Sequence, residues 1–164
     1  MGRVLSADGT AIGFDAWGDG PPLIMIDGAT AYRAMSQTAA QVGALLRGDF
    51  RTYAYDRRGR GESGDTPPYA VQREIEDVAA LIDEAGGPAF VCGFSSGAVL
   101  ALDAAAAGLP ITRLALFEPP FVVDDSRPPR PADYVRAVSM SRSSSRDSRA
   151  SRFVRTSLTC SASG

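Results

Sequence analysis

The chain's 164 residues suit one domain, and its apolar share of 45% is ordinary for a soluble globular protein. No run of about 18 apolar residues occurs, which argues against a membrane span, and the start, MGRVLSADG, lacks the basic-then-apolar layout of a signal peptide. A net charge of −2 conceals an asymmetry: residues 1–138 hold 12 Arg against 18 acids, whereas residues 139–164 hold 5 Arg against one acid.

RVLSA and TAIGFDAWG are β-prone, and Asp8-Gly9 between them signals a hairpin turn. After a loop of Gly18, Gly20, Pro21 and Pro22, the short run from Leu23 to Asp27 suits a strand buried on both faces of a parallel sheet. Residues 33–47 read as a helix closed by Gly48. Residues 50–56 form another strand, which empties into the glycine-rich loop RRGRGESGD. A helix follows Pro67-Pro68, with Val71, Ile75, Val78 and Ile82 on one face and acids on the other, and Gly86-Gly87 ends it. Residues 89–94 are a third buried strand, residues 96–107 an alanine-rich helix stopped at Gly108, and residues 111–117 a fourth strand leading to Glu118-Pro119-Pro120. Alternation of this kind predicts an α/β fold with a mostly parallel sheet and flanking helices.

Beyond residue 138 the pattern stops. Fifteen of the last 26 residues are Ser or Arg, too little apolar surface to offset the entropy of ordering them, so residues 139–164 read as a disordered tail. The tail's five arginines could touch phosphates, but the stretch is short and its SRSSSRDSRASR segment has no interleaved aromatics for stacking, so no nucleic-acid partner is expected. An alternative source for it is a slip of reading frame in GC-rich coding DNA. Cys92 and Cys160 make neither a metal spacing nor a disulfide framework. Cys92 reads as a buried small hydrophobe. No metal or organic cofactor is expected, and a reducing, cytoplasmic setting fits.

Gly93-Phe94-Ser95-Ser96-Gly97 matches G-x-S-x-G, with a buried strand before it and a small-residue helix after it. A sharp strand-to-helix turn would hold the Ser95 hydroxyl at the carboxyl edge of the sheet. The flanking glycines keep neighbouring side chains away, and the helix N-terminus offers free N–H groups to a developing oxyanion. Ser95 is therefore the candidate nucleophile.

IDGAT, YDRRGRGESGD, GFSSGAVLAL and LALFEPP occur in the order found in the α/β-hydrolase superfamily, and residues 1–138 resemble the N-terminal portion of such an enzyme. The resemblance implies an α/β-hydrolase fold truncated after about the sixth strand. It also implies a serine hydrolase that transfers the acyl group of a small-molecule ester, thioester or amide to water. The backbone N–H groups of Ala29 and Ser96 would form the oxyanion hole. A serine at the elbow argues against the branches with an Asp nucleophile, such as haloalkane dehalogenases and epoxide hydrolases.

Two departures stand out. Asp27 occupies the place of the usual histidine of the oxyanion loop; an anionic side chain there would oppose an oxyanion if it pointed inward, and the favoured expectation is that it faces away from the hole. The chain also has no histidine at all, so the usual general base of the triad is missing. Glu118 is a candidate triad acid, since some members place theirs after this strand; otherwise it is a carboxylate capping the loop. Asp56 and the cluster of Arg57, Arg58 and Arg60 lie at the same edge of the sheet and could attract an anionic substrate, but read preferentially as a solvated loop held by local ion pairs. The expected consequence is an impaired hydrolase, or a protein of this fold without catalysis. A bare last strand would promote self-association through its edge. A lid shaping the pocket would begin near Asp124.

Overall fold

The computed structural model describes residues 1–121. The expected tail, the lid, Asp124 and Cys160 lie outside them. The described elements are β1 (Gly2–Leu5), β2 (Ala11–Trp17), β3 (Pro22–Ile26), α1 (Thr38–Leu46), β4 (Arg51–Tyr55), α2 (Val71–Glu84), β5 (Ala89–Phe94), α3 (Ser96–Ala106) and β6 (Ile111–Phe117). They build one six-stranded sheet in the order β1-β2-β4-β3-β5-β6. β4, β3, β5 and β6 run parallel, while β2 joins β1 and β4 antiparallel, so the sheet is mostly parallel as expected.

The hairpin loop is one residue longer than a two-residue turn. The Gly9 N–H donates to the Ser6 carbonyl, the Ser6 N–H donates to the Thr10 carbonyl, and Gly9 takes the left-handed φ of 80° that such a loop demands. β3 is buried along Leu23, Ile24, Met25 and Ile26, and its pleat divides them. Ile24 and Ile26 join Tyr53, Tyr55 and Val91 in the larger core under α2 and α3, which supply Ile75, Val78, Leu81, Ile82, Leu100, Ala101 and Ala104. Leu23 and Met25 face the opposite way and meet Ala39 of α1, with Phe90, Cys92 and Phe94 packed alongside. Cys92 is thus partly buried in an apolar layer, and burial pushes its thiol pKa up.

Three local expectations are corrected. α1 begins at Thr38 rather than at residue 33, because Arg33 is taken out of any helix. Its N–H donates to Asp56 Oδ1 at 2.7 Å, and its guanidinium bridges Asp15, Asp56 and Glu62. α1 also does not end on a left-handed Gly48: the Asp49 and Phe50 N–H groups both return to the Leu46 carbonyl, and Gly48 is not among the residues of positive φ. On α2, Val71 is 45% exposed and Leu81 takes its place in the buried stripe, while the acids Glu74 and Asp77 are each only 1% exposed. Their burial is explained by the arginines they meet.

Candidate active site

The parallel strands deliver their carboxyl ends to one edge of the sheet. β3 ends in Asp27-Gly28, β4 in Asp56-Arg57-Arg58, β5 in Ser95 and β6 in Glu118. Ser95 is the N-terminal flanking residue of α3, with φ 51° and ψ −121°. A non-glycine residue in the positive-φ region stores about 1–3 kcal/mol of strain, so the surroundings must impose it. Three contacts do so. The Ser95 N–H donates to the Phe117 carbonyl of β6 at 2.9 Å, and its own carbonyl accepts from the Ala98 N–H at 2.9 Å. A methyl group built on Gly28 would lie 3.5 Å from Ser95 Cβ, which places the β3 loop directly against the serine. Ser95 itself is exposed to solvent.

The spacing of G-x-S-x-G has a steric cause here. A Cβ on Gly93 would lie 2.5 Å from the Gly97 carbonyl oxygen and 2.6 Å from Ala98 Cα, and one on Gly97 would lie 2.2 Å from the Ile26 carbonyl oxygen. Both glycines permit backbone-to-backbone approach between β5, α3 and the end of β3. This approach brings the N-terminus of α3 alongside the Gly28-Ala29 loop. The backbone N–H groups of Ala29 and Ser96, the two expected oxyanion donors, have no acceptor among the described residues.

The loop after β4 is held from within. Asp56, 2% exposed, accepts from the N–H groups of Arg33 and Glu62 and from the Arg33 guanidinium. The Ser63 hydroxyl donates to the Asp56 carbonyl and accepts from the Gly13 N–H. The following arginines are not a solvated cluster, and that expectation is corrected for Arg57 and Arg58. Arg58 is 1% exposed, pairs with both carboxylate oxygens of Asp77 and reaches Asp8 Oδ2 at 2.9 Å. Its guanidinium and two bonds from Thr10 hold the Asp8 carboxyl well below the usual carboxylate range.

Arg57 is 7% exposed, and its Nε lies 2.5 Å from Glu74 Oε2. Burial alone would raise the pKa of Glu74 and lower that of Arg57; their pairing reverses both, so the pair stays ionised. From Nη1, Arg57 donates to the Asp27 carbonyl at 3.3 Å and to Ser96 Oγ at 3.1 Å. Sequence reasoning missed this link. The available signal was the Arg57-Arg58 pair matched by Glu74 and Asp77, three apart on one helix.

Asp27 is 7% exposed. Burial pushes its carboxyl pKa up, the Asp56 carboxylate adds to this, and a hydrogen bond from Ser36 and the charge of Arg57 oppose it. Glu118 adjoins the elbow through Phe117, is exposed, and has a φ of 47°.

A profile described as the alpha/beta hydrolase family matches residues 11–159. Among solved structures, the chain is 56% identical to an alpha/beta hydrolase from Sphaerobacter thermophilus, with a TM-score of 0.80, covering 88% of this chain and 55% of that one. It is 29% identical to the bottromycin epimerase BotH, solved with bottromycin A2, at a TM-score of 0.66, covering 83% of this chain and 53% of that one. It is 28% identical to the N-formylmaleamic acid deformylase of Pseudomonas putida, at a TM-score of 0.65, covering 83% of this chain and 54% of that one. The chain thus spans about half the length of these relatives. Comparison with curated proteins gave no match.

Proposed function

The chain belongs to the alpha/beta hydrolase family, and we propose that it carries the nucleophile and oxyanion hole of a serine hydrolase acting on a small-molecule ester, thioester or amide. The observation that carries this reading is Ser95 in a strained, positive-φ turn between β5 and α3, exposed at the carboxyl edge of the sheet. Ser95 Oγ would add to the acyl carbon while the substrate's carbonyl oxygen takes up negative charge. The N–H groups of Ala29 and Ser96 would receive that charge, helped by the positive end of α3. Collapse of the adduct would expel the alcohol, thiol or amine, and water would release the acid from the acyl-enzyme.

The hydroxyl proton needs an acceptor. No histidine occurs in these 164 residues; on this reading the base is a group outside them, and Glu118, which follows β6, is the carboxylate proposed to orient it. Without a base, the loss in well-studied triads is roughly four to six orders of magnitude, leaving about 10³-fold acceleration from the oxyanion hole and binding.

A second reading is a protein of this fold that does not hydrolyse an acyl substrate. The epimerase among the relatives is a reminder that this fold hosts more than hydrolysis. A fluorophosphonate probe separates the readings. Labelling abolished by Ser95→Ala supports the nucleophile; labelling that survives this change places the reactive group elsewhere; a chain that takes no probe at all has no activated serine in this form.

A further inference from the structure

We propose that Arg57 is a positioning residue that sets the spacing between the two halves of the oxyanion hole; the catalytic sense of this rests on Ser95 being the nucleophile. Three observations converge on it. The guanidinium is anchored from behind, its Nε held by Glu74, whose other oxygen accepts from the Tyr69 hydroxyl at 2.9 Å. Its far end, Nη1, is shared between two elements that have no covalent proximity. It binds the Asp27 carbonyl, in the peptide unit next to the one that carries the Ala29 N–H, and the hydroxyl of Ser96, whose own N–H is the second donor. The seam it spans is the one where Gly97 meets the carbonyls of Ile26 and Asp27, so the loop and the helix are pressed together below and tied across by Arg57.

Chemistry favours arginine for this task. A planar fork can bind a carboxylate on one edge and two oxygens at its tip simultaneously, whereas a lysine ammonium on the same path has no second nitrogen to divide between anchor and seam. Because Glu74 neutralises the cation, the guanidinium acts here through geometry rather than as a free charge. Among the described residues, the backbone bond within the Gly28-Ala29 loop is the long 3.3 Å contact from the Ala31 N–H to the Gly28 carbonyl.

The test uses the full chain as Arg57→Lys and as Ser96→Ala, the latter removing the bridged hydroxyl while keeping the N–H. Backbone ¹⁵N order parameters are measured at Gly28, Ala29 and residue 96, with Ile24 and Val91 as core references. In the wild type, the site amides should lie near the rigid value of about 0.85, and in Arg57→Lys they should fall toward about 0.6 while the references hold. The rate of fluorophosphonate capture at Ser95 should drop by about tenfold or more in its maximal rate, with half-saturation unchanged. That loss is smaller than the roughly 10²–10³ for deleting an oxyanion donor outright.

If Arg57 merely pairs with Glu74 to support the fold, Arg57→Lys lowers the melting temperature and leaves both readouts where they were, which overturns the proposal. If Arg57→Lys fails to fold, Ser96→Ala decides: order lost at Gly28, Ala29 or residue 96 supports the proposal, and wild-type order at all three refutes it. If the wild type takes no probe, the nucleophile reading falls, and the order parameters still settle whether Arg57 fixes the loop.

Discussion

Gly97→Ala is the substitution whose cost can be worked most directly from the packing. The added methyl would sit 2.2 Å from the Ile26 carbonyl oxygen, 2.7 Å from that of Asp27 and 2.8 Å from the Ile26 carbonyl carbon. Ordinary contact begins at 3.4 Å, so the closest approach is short by about 1.2 Å, and every atom it meets is backbone. No side-chain rotation can relieve it. β3 is also held on both sides, paired with β4 on one and β5 on the other. Overpacking of this kind costs about 1–3 kcal/mol, against which alanine's better helix propensity returns up to about 1 kcal/mol. A clash this deep with backbone atoms belongs at the upper end of that cost, so the net loss is about 2–3 kcal/mol and lowers the melting temperature by about 2–4 °C for each kcal/mol in a chain of this size. Urea and thermal unfolding followed by circular dichroism would measure it. Gly48→Ala is the matched control: nothing lies within 4 Å of the new methyl and the backbone is not left-handed, so stability should stay level or rise by about 0.4–1 kcal/mol. Equal stabilities for Gly97→Ala and the wild type would refute the close-approach account of the motif's second glycine.

The buried pair of Arg58 and Asp77 predicts that Asp77→Asn destabilises by about 3–5 kcal/mol, because the 0%-exposed guanidinium is left partly unpaired; urea midpoints check it. Asp27 has a folded pKa raised above its unfolded value of about 3.9, so its contribution is fully favourable below that pH and is lost as pH rises through the folded pKa. Asp27→Asn, neutral throughout and still able to accept from Ser36, should therefore gain stability over the wild type at pH 7 and lose that advantage at pH 3; a gap that widens in acid would contradict the burial argument. β6 pairs only with β5 among the described residues, and Leu116 and Phe117 on it are exposed, so size-exclusion chromatography with light scattering should find concentration-dependent self-association that Leu116→Lys weakens.

What could be read in the sequence was what local chemistry decides. The bounds of β5 and β6 follow from short apolar runs between glycine or proline stops, and the turn at Ser95 follows from glycines two before and two after it. What could not be read was decided by distant partners. Residues 33–37 carry no helix-breaking residue, yet Arg33 is drawn to Asp56 and Asp15 and the helix starts later. Glu74 and Asp77 look like a solvated face in a helical pattern, because periodicity cannot show that a pair of arginines from the preceding loop will be buried against them. A charge in a pattern reads as surface until its counter-ion is known.

That correction changes what the site's charge can do. Three arginines beside a nucleophile suggest attraction of an anionic substrate, but Arg57 and Arg58 are held by Glu74, Asp77 and Asp8 and are nearly inaccessible, so little of their field reaches the open edge where Ser95 lies. Their role is instead mechanical. Arg58 binds the β4 loop to α2 and to the first hairpin, Arg57 binds it to the β3 loop and α3, and Asp56 with Ser63 closes it on itself. Five segments distant in sequence are thereby fixed around one serine by groups whose charges cancel locally. On the proposed reading, transition-state stabilisation would then rest on the placement of two backbone N–H groups rather than on a side-chain cation, and substrates with an uncharged acyl portion should be preferred over their anionic counterparts.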